Sequence, residues 1–154
     1  MITCTFAGHR EVLHTGVREK LYSGLLELLA LDSQLCFYVG GMGKFDAMAE
    51  QAVRRLKREF PEKEIRLVLV LPYMKKSVND HPEVYGVLYD EVIVPEVSAC
   101  EHFKRAITVR NRWMAEQSQI LIAYVHRNFG GAFEMVEYAR RIGVDVWRAW
   151  FTSA

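Results

Sequence analysis

The sequence predicts an α/β fold: a single domain, residues 1–154, built as a three-layer sandwich with helices on both faces of a mostly parallel sheet. Two observations carry this prediction. Short β-rich runs alternate with longer segments in which apolar residues recur at helical spacing. Several of the β-rich runs are apolar at consecutive positions, as strands covered by helices on both faces must be.

The strand predictions rest on short runs rich in β-branched, aromatic and aliphatic residues. In chain order these runs are ITCTF at 2–6, LCFYV at 35–39, IRLVLVL at 65–71, EVIVP at 91–95, QILIAYV at 119–125 and VDVWRAW at 144–150. Cys4 and Cys36 lie inside the first two runs, and the cysteines show no C-x-x-C spacing. We therefore expect these two to be small buried residues, with neither a disulfide nor a metal site.

The helix predictions rest on apolar residues that recur every three or four positions. They cover the segments 15–31, 46–60, 101–117 and 132–142. In the second of these segments the apolar positions include Ala49, Val53 and Leu56, and Pro61 follows the segment directly. The stretch 73–90 shows no such pattern and is predicted to be an irregular lid or binding loop.

The composition narrows the classes of partner. Hydrophobic residues make up 51% of the chain and charged residues 25%, as in globular proteins, and the formal net charge is +1. A nearly neutral chain is not expected to bind nucleic acid in bulk. The longest apolar run is interrupted by Arg66 and Pro72 and falls short of the roughly 20 residues that span a membrane. We expect a cytoplasmic protein with no membrane partner.

Three glycine-bearing junctions follow predicted strands: AGHR at 7–10, GGMGKFD at 40–46 and FGGA at 129–132. Glycine lets backbone amides approach an anion closely, and the N-terminus of the next helix attracts the same charge. The carboxyl ends of parallel strands lie at one edge of a sheet, so the three junctions are expected to converge. This arrangement predicts a nucleotide-binding cleft.

Charged side chains accompany the glycines of the first two junctions. The candidate ligand-binding residues there are Gly8, His9, Arg10, Gly40, Gly41, Gly43, Lys44 and Asp46. Arg10 is suited to bind a phosphate with two parallel hydrogen bonds, and Lys44 would add a positive charge. Asp46 would accept from a ribose hydroxyl or cap the helix that follows. Tight turns with a capping aspartate are the structural alternative, because neither phosphate-binding glycine motif is complete.

The third junction supplies Gly130, Gly131 and Glu134, and the helix at 101–117 supplies Arg110. Glu134 is the carboxylate best placed to meet a sugar bound at this junction. A glutamate near a helix N-terminus is also explained by the helix dipole. Arg110 shares a helix face with Trp113 and would present its guanidinium at the end of the cleft, although an arginine at this spacing is often at the surface.

In combination these motifs resemble the SLOG superfamily, which has a Rossmann-like fold, and above all its small YpsA-like members. The segments that carry the resemblance are FAGHR, GGMGKFDAMAE, LVLVLPY, RNRWM at 110–114 and GGA at 130–132. They span nearly the whole chain. The resemblance implies a nucleotide or nucleotide-derived ligand, such as an ADP-ribose-like or cyclic molecule, above the sheet. It also implies a homodimer, and it adds Pro72, Tyr73 and Asn111 to the candidate ligand contacts.

The same superfamily includes the Lonely Guy (LOG) phosphoribohydrolases, so the resemblance also implies an alternative activity with Arg110 and Glu134 as the catalytic pair. Their signature P-G-G-x-G-T-x-x-E becomes FGGAFEM here, which leaves Met135 at the position of the catalytic glutamate. A methionine cannot transfer a proton. Glu134 stands one residue early, which turns a helical side chain by about 100°.

These departures favour a binding protein over an enzyme. We expect a domain that needs no cofactor and no metal, and that serves as a sensor or as a sponge for a signalling nucleotide, as a phage-encoded inhibitor of host immunity would. A third reading, single-stranded DNA binding as in DprA, requires a basic groove that the charge balance does not predict.

Overall fold

The structure, a computed structural model, describes residues 1–99 and 101–150. Within these residues six strands form one sheet in the order β4-β3-β2-β1-β5-β6, and each neighbouring pair is parallel. The strands are β1 (Ile2–Gly8), β2 (Gln34–Val39), β3 (Glu64–Val70), β4 (Glu91–Ile93), β5 (Ile120–Tyr124) and β6 (Asp145–Arg148). All six predicted strands are present, although β4, β5 and β6 are shorter than predicted.

The helices include the four that the sequence predicts and three short ones that it does not. They are α1 (Val17–Leu31), α2 (Gly43–Glu59), α3 (Lys76–Asp80), α4 (Pro82–Leu88), α5 (Glu96–Ala99), α6 (Phe103–Glu116) and α7 (Gly131–Arg141). The prediction of an irregular loop at 73–90 is therefore wrong, because α3 and α4 lie within it. Pro82 begins α4, a position where its missing N–H leaves no intrahelical bond unmade.

Two hydrophobic clusters lie on opposite faces of the sheet and make the predicted three-layer sandwich. Strand residues alternate between them: in β3, Leu67 and Leu69 pack with α1 and α2, whereas Val68 and Val70 pack with α6 and α7. Cys4 and Cys36 are free thiols in different clusters, and the prediction that both are buried is confirmed. Burial raises the pKa of each thiol above its ordinary value.

The strand order reverses beside β1, and this reversal places the candidate site. The chain runs outward from β1 through β2 and β3 to β4, then crosses back so that β5 pairs with the other side of β1. Gly8 at the end of β1 is in register with Tyr124 at the end of β5. The connections that leave these strands therefore diverge, which opens the crevice typical of ligand sites in such sheets. Among the described residues, no helix is long and apolar enough to cross a membrane.

Candidate functional site

A cleft of about 540 Å³, the main cleft, opens at the carboxyl ends of β1, β2 and β5. The predicted site residues that line it are Gly8, His9, Arg10, Gly40, Asp46, Arg110, Asn111 and Gly131. Those outside its lining are Gly41, Gly43, Lys44, Pro72, Tyr73, Gly130 and Glu134. Glu134 lines an adjoining cleft of about 340 Å³ that shares Asn111, Gly131 and Met135 with the main cleft. All three junctions thus reach the main cleft through at least one glycine.

The glycines of the first two junctions are required by packing within the protein. A Cβ on Gly8 would lie 2.1 Å from the Phe45 ring, and a Cβ on Gly43, where φ is +89°, would lie 2.8 Å from the Cα of Arg10. The Lys44 amide donates to the Arg10 carbonyl at 2.8 Å and is therefore already bonded. The close approach between the end of β1 and the start of α2 explains these glycines without a ligand.

The third junction is open. Within the part of the chain that the structure describes, nothing lies within 4 Å of a Cβ built on Gly130 or Gly131, and Gly130 has a φ of +97°. α7 begins directly after Gly130. The first amides of any α-helix lack intrahelical partners, and no side chain among the described residues caps those of α7. Gly131 and Ala132 line the main cleft. The positive end of the α7 dipole and several amide donors are therefore at the edge of this cleft.

Arg110 lies on α6 and is only 2% exposed. Its Nη1 donates to the carbonyls of Val70 at 2.7 Å and Gly40 at 3.2 Å, and its Nε donates to the Oδ1 atom of Asn111 at 2.9 Å. Burial lowers the pKa of Arg110 to about 10, against the opposing effect of Asp46, so the group stays charged at neutral pH. Arg110 ties together the ends of β2 and β3 and places a positive charge in the cleft wall.

Asp46 is a buried carboxyl group in the same wall. Its Oδ2 accepts from the amide of Met42 at 3.0 Å, so it caps the residue that precedes α2. Burial raises the pKa of Asp46 to about 7, although the Met42 amide and the positive charge of Arg110 act in the opposite direction. The ionisation of this carboxyl group is therefore expected to change near neutral pH.

Sequence reasoning missed His126 and Arg127, which come after the end of β5 and line the main cleft. His9 is buried, and its Nε2 accepts from the amide of His126 at 3.2 Å, which places the ring proton on Nδ1. Burial, with the positive charges of Arg127 and His126, lowers the pKa of His9 to about 4. The pairing of β5 with β1 brings these residues together. A sequence prediction that paired these two parallel strands would have placed His9 beside the residues that follow β5.

A second contact holds the loop after β1 against β5. The Tyr124 hydroxyl accepts from the amides of Leu13 at 3.0 Å and His14 at 3.3 Å. It also forms a hydrogen bond with Nδ1 of His14 at 2.6 Å.

Among the described residues, no group of three or more His, Cys, Asp or Glu side chains is placed to hold a metal ion.

The sheet order and the cleft at its reversal define a Rossmann-like α/β domain. DprA from Streptococcus pneumoniae is similar in structure, with a TM-score of 0.67 and 19% identity over 96% of this chain and 50% of that chain. DprA from Helicobacter pylori, described for its single-stranded DNA binding mode, has a TM-score of 0.65 and 14% identity over 96% of this chain and 64% of that chain. The protein TM1055 has a TM-score of 0.59 and 12% identity over 95% of this chain and 72% of that chain.

These comparisons confirm the predicted fold. The chain spans half to just under two-thirds of the length of the two DprA chains, and at these identities the likeness shows the fold alone. No family model matches the sequence, and no curated protein matches it. The expectation that nucleic acid is not a partner gains no support, because one of the similar structures is described as binding single-stranded DNA.

Proposed function

We propose that the chain binds a nucleotide or nucleotide-derived molecule in the main cleft and leaves it chemically unchanged. The observation that carries the proposal is the uncapped N-terminus of α7, where Gly130 and Gly131 leave open space beside free amides. Arg10 and Arg127 are exposed in the walls of the same cleft. A phosphate at this helix end would meet amide donors, the helix dipole and two guanidinium groups.

Binding without turnover is favoured by what surrounds the site. Met135, at the position where the LOG resemblance implies a catalytic glutamate, is buried and lines the cleft with a thioether. Glu134 is exposed and lines the adjoining cleft instead. Arg110 uses its Nη1 and Nε donors on groups of the protein itself, so it supports the wall more than it offers donors to a ligand. A binder of this kind would act as a sensor or as a sponge, and we propose that it does so as a homodimer.

One observation favours the alternative, hydrolysis of the N-glycosidic bond of a nucleoside monophosphate. Asp46 is a buried carboxyl group in the cleft wall, and its pKa near neutrality suits proton transfer. This activity predicts release of free base that is abolished in Asp46→Asn or Glu134→Gln. Recovery of intact nucleotide after prolonged incubation and denaturation would support binding alone.

The test is isothermal titration against nucleoside mono- and diphosphates, cyclic nucleotides and ADP-ribose. We expect at least one to bind, with Arg10→Gln weakening it about tenfold or more. Gly131→Asp is the sharper variant, because a carboxylate in the first turn favours the α7 dipole but repels a phosphate. It should keep the stability of the protein and lose the ligand. Arg58→Gln is the matched control, since Arg58 is exposed and lines neither the main cleft nor the adjoining cleft.

Silence across the whole set at millimolar ligand would overturn the proposal, as would unchanged affinity in both cleft variants. A single-stranded oligonucleotide belongs in the same experiment because of the DprA structures. If the protein binds the oligonucleotide and none of the small nucleotides, the proposal of a small-molecule ligand is wrong and single-stranded DNA is the ligand. Light scattering with and without ligand tests the homodimer.

A further inference from the structure

We infer that a second cleft, beside β6, is a second binding site, for a phosphate ester, with Arg127 and Arg148 as its phosphate contacts. This β6 cleft has a volume of about 1190 Å³. Its wall includes His14, Arg127, Arg140, Arg148 and Trp150. His126 and Arg127 line the main cleft as well, whereas Arg148 and Trp150 do not, so the inference does not depend on the proposed function.

The charge of the β6 cleft has one sign. Three arginines, Arg127, Arg140 and Arg148, line it, and no Asp or Glu does among the residues that the structure describes. The main cleft, by contrast, has Glu11 and Asp46 in its wall. Arg140 is partly neutralised, because its Nη1 lies 3.2 Å from Glu137. The uncompensated charge in this concave surface comes from the other two arginines, and it favours an anion.

Aromatic rings hold these two arginines in place. The Arg148 Cζ lies 4.6 Å from the centroid of the Trp150 ring, and the Arg127 Cζ lies 4.8 Å from that of Phe129. A ring face orders a guanidinium without cancelling its charge, and it leaves the N–H groups at the edge of the guanidinium free to donate. Within residues 1–99 and 101–150, neither arginine forms an ion pair.

The platform beneath Arg148 is fixed by the fold. Trp150 is buried, with its ring in edge contact with Tyr124 at a centroid distance of 5.5 Å. Arg148 ends β6 in register with Ala123 of β5, and Arg127 follows the end of β5. Both guanidinium groups therefore belong to the same edge of the sheet. Arginines ordered before a ligand arrives lose less entropy when they bind it.

The chemistry and the size of the cleft point to the class of ligand. The planar fork of a guanidinium matches two oxygens of a phosphate group, and two such forks suit a phosphate ester or a diphosphate. The volume exceeds what a single inorganic phosphate needs, so an organic group attached to the phosphate is the expected remainder of the ligand.

Inorganic pyrophosphate is the probe, and the side-chain Nε–Hε signals of Arg127 and Arg148 are the readout in an NMR titration. We expect both signals to shift and saturate, and we expect Arg148→Gln to weaken this binding about tenfold or more. Arg148→Lys should restore only part of it, because it keeps the charge and loses the fork. Sodium chloride at matched ionic strength is the control for screening.

Arg10→Gln separates this inference from the proposed function, because Arg10 lines the main cleft and not the β6 cleft. If the β6 cleft is a separate site, pyrophosphate still shifts the Arg148 signal in Arg10→Gln with unchanged affinity. Arg148→Gln should keep nucleotide binding in the main cleft. Absence of nucleotide binding in the wild type would overturn the proposed function and leave the pyrophosphate result unaffected. Shifts that sodium chloride reproduces, or an Arg148 signal that stays still in a folded protein, would overturn the inference.

Discussion

Asp46 and His9 lie in the wall of the main cleft and are expected to give the stability of the protein opposite dependences on pH. Burial raises the pKa of Asp46 from 3.8 to about 7, and burial with nearby positive charge lowers the pKa of His9 from 6.5 to about 4. Each pH unit between the folded and unfolded values corresponds to about 1.4 kcal/mol of unfolding free energy. The totals are therefore about 4 kcal/mol for Asp46 and about 3 kcal/mol for His9.

The signs follow from which state holds the proton. Folded Asp46 binds a proton more tightly than unfolded Asp46, so its contribution is complete below pH 3.8 and is lost as the pH rises to about 7. Folded His9 binds a proton more weakly, so its contribution is present above pH 6.5 and is lost as the pH falls to about 4. Between about pH 4 and pH 6.5 both groups change the unfolding free energy with pH, in opposite directions, so their contributions cancel.

Urea unfolding between pH 4.5 and pH 8 tests this, on the wild-type protein and two variants. Asp46→Asn leaves His9 alone, so unfolding free energy should rise with pH by up to about 3 kcal/mol. His9→Gln, which keeps an acceptor for the His126 amide, should show a fall of up to about 3 kcal/mol over this range. Other titrating groups are common to the three proteins and drop out of the differences. A profile for Asp46→Asn that runs parallel to the wild type would refute the reasoning.

Two further expectations concern the loops around the cleft. Gly8→Ala places a Cβ 2.1 Å from Phe45 and should cost about 1–3 kcal/mol or more of unfolding free energy. The Cβ of Gly131→Ala meets none of the described residues within 4 Å, so this variant should be neutral or slightly stabilising by urea unfolding. Equal effects would contradict the packing explanation. Tyr124→Phe removes the acceptor of the His14 amide, so exchange of that amide should accelerate in hydrogen-exchange NMR, and an unchanged rate would argue against the contact.

The sequence predicts the sheet and the long helices because their apolar residues are periodic and point into the two clusters. The segment 73–90 escapes prediction for the same physical reason. α4 has no fully buried residue. Its Tyr85 packs half-buried against the core, whereas Val84 and Val87 are exposed. A helix with so little contact with the core leaves no clear periodic signal in the sequence.

The candidate site is predicted less completely, because glycine has two explanations that a sequence does not separate. The contact that requires Gly8 is with Phe45, far along the chain, and only the folded arrangement shows that packing accounts for it. Arg110 is similar, since its partners Gly40 and Val70 lie on other elements. Arg127 and Arg148 belong to no motif, and their importance emerges only once β5 and β6 are seen to be neighbours.

Arg127 lines both clefts, and this shared wall predicts that their occupants affect each other. Two anions that draw on one guanidinium compete for its charge, so pyrophosphate in the β6 cleft should weaken nucleotide binding in the main cleft. Linkage requires that the nucleotide weaken pyrophosphate by the same factor. Titrating each ligand in the presence of the other measures the factor, and Arg127→Gln should abolish it. Independent binding of the two ligands in the wild type would show that Arg127 serves only one cleft.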